Sequence, residues 1–222
     1  MFSKNLGKKL DKYHLLKHPF YHVYWNEGKL TREIIKDYAE QYYQHVKAFP
    51  RYISATHSIC DDIEKRRILL ENLQDEENRD GDHPKLWKNF AKSLGADEKK
   101  IENVKLDWFT KDMIENFFAQ ARKSYAEGLA SLYTYERQIP EIAETKIQGL
   151  KKFYGVNSKE GLEFFEAHKS ADVIHRAECE KLLDGLSKEE QEKAEVASLL
   201  TARYLWNFLS GMTSKHKLQE AA

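Results

Sequence analysis

Apolar residues along this chain recur at intervals of three and four, the spacing of a buried helical stripe. In LTREIIKDYAEQYYQHVKAFP, Ile34, Ile35, Tyr38, Tyr42 and Val46 keep that period, and Thr31 stands where an N-cap belongs. Pro50 predicts a kink or an end, yet RYISATHSICDDIEKRRILLENLQDEENRD carries on in helical register. Gly81 and Pro84 mark a turn, and His83-Pro84 suits a helix start ahead of LWKNFAKSLG. After a charged connector, residues 107–155 are helical again, with a break or kink near Pro140. Ser158 caps the next segment, through Leu186. Ser187-Lys-Glu-Glu then reads as a capping box for a last helix ending at Gly211. No alternating strand pattern stands out. The pattern predicts an all-α bundle of about seven helices in one domain, residues 1–214, with a polar, disordered tail at 215–222.

Composition narrows the picture. The chain has 222 residues, of which 41% are hydrophobic and 12% aromatic, enough to fill one core. Its 36 basic and 36 acidic residues balance, so no global field recruits nucleic acid or an anionic membrane. No apolar run approaches the roughly 20 residues that span a bilayer. The N-terminus MFSKNLGKKLDKYH lacks the apolar stretch of a secretory signal. Cys60 and Cys179 match no zinc spacing. These features predict a reduced, cytoplasmic protein.

One segment adds chemistry. FFEAHKSADVIHRAECEKLL carries His168, Asp172 and His175 on what reads as a helix. At about 100° per residue, Asp172 lies about 40° to one side of His168 and His175 about 20° to the other. The three share one stripe, flanked by Phe164, Phe165 and Cys179, which points it inward. Imidazole and carboxylate are ligands for iron, manganese and zinc. Further candidates are Glu76, His83 seven residues on, and Glu136 within the aromatic LYTYERQIP. Each has an ordinary alternative. Glu76 fits a solvated acidic run, His83 a helix start before proline, and Glu136 a partner for Arg137. Together, three carboxylates and three histidines suffice for two metal ions with positions open for dioxygen.

HPFYHVYWNEGKLT, YYQHVKAFPRYISATHS, LLENLQDEENRDGDHPKLWKNFAKSLG and LASLYTYERQIPEIAETKIQGLKKFYG resemble the haem-oxygenase-like di-metal oxidases. The likeness is to the group that includes thiaminase II and the C protein of coenzyme PQQ synthesis. Within it, the chain is similar to the branch of self-sacrificing p-aminobenzoate synthases named for association with death domains. The resemblance implies a haem-oxygenase-like bundle holding two metal ions, Fe/Fe or Fe/Mn. Glu76, His83, Glu136, His168, Asp172 and His175 would be the ligands, dioxygen the co-substrate and an external reductant the electron source. It implies a single-turnover synthesis of p-aminobenzoate, a folate precursor. Tyr21 would give the ring and Lys146 the amine, with Tyr135 beside the metals. Tyr24 stands as a substitute donor, because three residues separate Tyr21 from Trp25 where the family pattern has two. Relatives suggest a homodimer. Two other readings stay open: a multi-turnover oxygenase on a free small molecule, and a non-enzymatic partner of a host death-domain protein.

Overall fold

The computed structural model describes residues 1–79 and 81–218, leaving aside the side chains of 170–172. Among the described residues it is all α, with α1 (Phe2–Leu10), α2 (Arg32–Ser58), α3 (Ile63–Glu76), α4 (His83–Ser93) and α5 (Glu98–Glu102). These are followed by α6 (Trp108–Lys123), α7 (Tyr125–Glu136), α8 (Ile139–Phe153), α9 (Lys159–Asp184) and α10 (Lys188–Lys215). Two short 3₁₀ turns and a π-helical turn, Phe20–Trp25, join α1 to α2.

Ten helices stand among the described residues where about seven were expected, because α1 and α5 were not assigned from the pattern and a cap at Ser124 divides a third segment in two. Pro50 does not end its helix; α2 runs through it to Ser58. The break comes at Asp62, whose carboxylate accepts from the N–H groups of Glu64 and Lys65 and starts α3. Ser124 cuts the 107–155 pattern in the same way, accepting from Glu127 N and turning α6 into α7. Pro140 lies in the first turn of α8, where a missing N–H costs nothing. Thr31, Ser158 and Ser187 cap the helices that the sequence assigned to them, the last with a full capping box through Glu190. The final helix continues past Gly211 to Lys215, and residues 219–222 of the expected tail lie outside the described residues.

Packing follows the aromatic stripes. α2 lies against α3, α4, α6 and α7, while α9 lies against α4, α7 and α8, and α10 covers α6 and α7. The main core between them is built largely of rings, with Tyr21, Trp25, Tyr38, Tyr43, Tyr52, Trp87, Phe117 and Phe165 all buried. No helix among the described residues is long and apolar enough to cross a membrane. This arrangement brings α3, α4, α7, α8 and α9 around one end of the ring-filled core, and the site lies there.

Candidate metal centre

Three of the expected ligands meet. Glu76 ends α3, His83 opens α4, and His168 lies midway along α9. One ligand atom from each falls within 4.8 Å of the other two, and all three residues are buried. The His83 Nδ1 is 2.8 Å from Glu76 Oε2, and the rings of His83 and His168 stand 4.1 Å apart. On the other side of its ring, His168 Nδ1 is 2.7 Å from the carbonyl of Phe164, one turn back on α9. A carbonyl only accepts, so Nδ1 carries the proton and Nε2 keeps its lone pair for the group. Burial, then the nearby His83, hold the His168 pKa well below the ordinary range, so the ring is neutral. A buried carboxylate with two imidazoles is a donor set that fits iron.

Glu136, the last residue of α7, is held by both oxygens. Asn72 Nδ2 donates to Oε1 at 2.6 Å, and the Cys179 thiol donates to Oε2 at 3.4 Å. Asn72 lies one turn before Glu76 on α3, and Cys179 one turn after His175 on α9. The His175 Nε2 is 3.0 Å from the Asp75 carboxylate. Glu136 is therefore tied to the residue one turn before Glu76, and His175, two turns after His168 on α9, to the residue beside Glu76. The side chain of Asp172 lies outside those described. Asn72, Asp75 and Cys179 have no signature in the sequence. Their contacts with Glu136 and His175 join helices 43 to 100 residues apart.

Next to this group lies a small cavity of ≈ 20 Å³, lined by His168, Phe164, Trp87, Tyr135, Tyr42, Tyr38, Tyr21 and Lys146 among others. Its volume holds about one water-sized molecule. Lys146, on α8, is buried in a box of rings. Its Nζ is 4.9 Å from the Tyr38 centroid, 5.1 Å from Trp87, 5.3 Å from Phe165, 5.4 Å from Tyr42 and 5.9 Å from Tyr21. Nζ donates to the Tyr38 hydroxyl at 2.7 Å, which is 3.2 Å from the Tyr21 hydroxyl. Burial lowers the Lys146 pKa to about 7, so near neutrality much of the amine carries a free lone pair. The same burial pushes the Tyr21, Tyr38 and Tyr42 phenols up, and they stay protonated. Tyr42 hydrogen-bonds Tyr135, which precedes Glu136 in the chain. In the sequence Tyr38 belongs only to the apolar stripe of α2. It sits between phenol and amine, and only the fold brings it 108 positions across to Lys146.

Tyr21 lies in a π-helical turn. Asn26 N donates to Tyr21 O, and Lys29 N to Tyr24 O, both i→i+5 bonds of a π turn. A π turn takes up one extra residue. Within this turn Tyr21 faces the cavity. Tyr24 is buried but is not among the described residues that line the cavity.

Comparison with known proteins agrees with this architecture. A family model for an iron-containing redox enzyme matches residues 36–206. A 4-aminobenzoate synthase of Chlamydia pneumoniae is 42% identical over 207 residues, covering 92% of each chain. One from Nitrosomonas europaea is 37% identical, covering 95% of this chain and 90% of its own. Among solved structures, a TenA homologue from Pseudomonas syringae superposes with a TM-score of 0.83 at 16% identity, covering 96% of this chain and 93% of its own.

Proposed function

The chain belongs to the haem-oxygenase-like family of iron-containing redox enzymes, and on that premise we propose that it makes 4-aminobenzoate from its own Tyr21, with Lys146 donating the nitrogen. The observation that carries this reading is the cavity. Its ≈ 20 Å³ admits dioxygen but no free aromatic substrate, and the aromatic ring and the amine already at its wall belong to the chain. The two synthase relatives reported above share the product chemistry by name.

Bound iron with dioxygen would supply oxidising power that side chains alone lack. Glu76, His83 and His168 would hold it, and in this reading Glu136, Asp172 and His175 complete a second position. The chain does the rest. His168 is fixed by Phe164 O, so its Nε2 faces the group without reorganisation. Asn72 and Cys179 set the angle of the Glu136 carboxylate. The ring box strips water from Lys146, leaving a nucleophilic amine 5.9 Å from the Tyr21 ring centre. Tyr38 bridges amine and phenol and gives a path for a proton between them. A ring tethered in the pocket reacts as a unimolecular partner, without the entropic cost of capture.

Purified protein given ferrous iron, a reductant and oxygen, then followed by product assay and intact mass, tests the reading. We expect at most one 4-aminobenzoate per chain, with mass lost at Tyr21 and altered at Lys146. Tyr21→Phe should produce none, whereas Tyr24→Phe should still produce it. Product in excess of protein, on an unchanged chain, would establish the multi-turnover oxygenase instead.

A further inference from the structure

We propose that Trp25 is a one-electron relay through which a small anionic reductant, seated in a surface recess over α8, reaches the Tyr21–Tyr38–Lys146 cluster. The inference rests on the oxidative reading of the pocket given above. Trp25 is fully buried, 5.9 Å ring to ring from Tyr21. On its far side the wall is thin. A Cβ on Gly149 would stand 2.3 Å from Trp25 Nε1 and 2.9 Å from Cδ1, so only glycine lets the indole lie directly under the α8 backbone. Over that glycine opens a recess of ≈ 280 Å³ lined by Asn26, Thr145, Gln148, Lys152 and Phe153. Lys152 is its only charge among the described residues, which suits an anion.

Other ring contacts leave the pocket, but their chemistry differs. Tyr42 leads by way of His45 and Tyr52 to Phe117 and Phe118. Trp87 leads to Phe90, Phe164 and Phe165. Phenylalanine is far harder to oxidise than tryptophan or tyrosine, so those routes stop. From Tyr21 through Trp25 to the recess, every ring is readily oxidised.

The step balances. Were bound iron and dioxygen to supply the oxidant, loss of an electron and a proton from Tyr21 would leave its ring a neutral phenoxyl radical. Trp25 returns one electron to it, and the Lys146 ammonium returns one proton along the Nζ–Tyr38–Tyr21 hydrogen bonds. The Trp25 N–H is bonded to the carbonyl of Thr145 at 3.2 Å, which takes no proton, so the oxidised indole stays a radical cation. A one-electron donor such as ascorbate refills it and leaves as its own radical. Before the single turnover the relay repairs a ring oxidised out of turn.

The test uses full-length, iron-loaded protein exposed to oxygen, with and without ascorbate. Freeze-quench electron paramagnetic resonance follows the tyrosyl signal, and peptide mapping finds added oxygen. Without ascorbate, Trp25 should gain oxygen while the exposed Trp108 does not. Ascorbate should shorten the tyrosyl lifetime at least tenfold in the parent and not in Trp25→Phe. Lys152→Glu, a surface change that keeps the test alive if Trp25→Phe fails to fold, should raise the ascorbate concentration needed by several fold. A tyrosyl signal that ascorbate quenches equally in all three proteins, or that persists beside an unmodified Trp25, overturns the relay and leaves the oxidase reading standing. If neither radical, nor oxidised ring, nor 4-aminobenzoate appears, the oxidase reading falls and takes the relay with it.

Discussion

Lys146 shows how one residue couples folding to chemistry. Burial takes its pKa from 10.5 to about 7, so the folded state binds its proton less tightly than the unfolded chain. Between pH 7 and 10.5 the unfolded chain holds more protons, and stability therefore rises with pH across that window. Below pH 7 both states are protonated and the cost is present in full, about 5 kcal/mol at about 1.36 kcal/mol per unit. Lys146→Met keeps the stem in its box of rings and removes the charge. We expect that variant to be more stable by a few kcal/mol at pH 6, to lose the rise towards pH 10 in urea titrations, and to make no 4-aminobenzoate. The sequence offered Lys146 only through family likeness, since nothing in ETKIQGL distinguishes a boxed lysine from a solvated one. The ligands were more legible. His168 and His175 share a stripe because helical spacing forces it, and both are buried. Tyr38, Asn72 and Cys179 were not legible as site residues. Their roles come from partners on other helices, and no local spacing encodes such contacts.

At the scale of elements, the caps carried most of the legible information. Thr31, Ser158 and Ser187 start helices for a local reason, a side-chain oxygen accepting a backbone N–H, and local reasons can be read from sequence. The extra breaks at Asp62 and Ser124 use the same chemistry, but they lie within continuous apolar patterns that masked them. The π turn at Phe20–Trp25 was hidden altogether, since its i→i+5 bonds leave no periodic trace in so short a stretch. It makes a sharp prediction. Deleting the exposed His22 should restore α geometry and swing Tyr21 relative to Trp25 by about 100°. Product should vanish while far-UV circular dichroism changes little. Helix packing gives another. A Cβ on Gly211 of α10 would fall 2.2 Å from Phe109 of α6. Gly211→Ala should cost about 1–3 kcal/mol by overpacking, measured as a lower urea midpoint.

For the whole molecule, Glu76, His83 and His168 tie α3, α4 and α9 through one set of donor atoms. An ion bound there favours the folded chain by mass action, about 2.7 kcal/mol when its free concentration is a hundred times the dissociation constant. In a chain of this size that corresponds to a rise of about 5–10 °C in the melting temperature. Anaerobic ferrous iron should produce that shift by calorimetry, and His168→Ala should abolish it. A pocket with space for a gas molecule and no metabolite also has a meaning for the cell. If ring and nitrogen both come from the polypeptide, each molecule of product uses up a freshly translated chain of 222 residues. Output is then governed by how fast ribosomes make this protein and proteases clear the spent copies, and catalytic speed hardly enters.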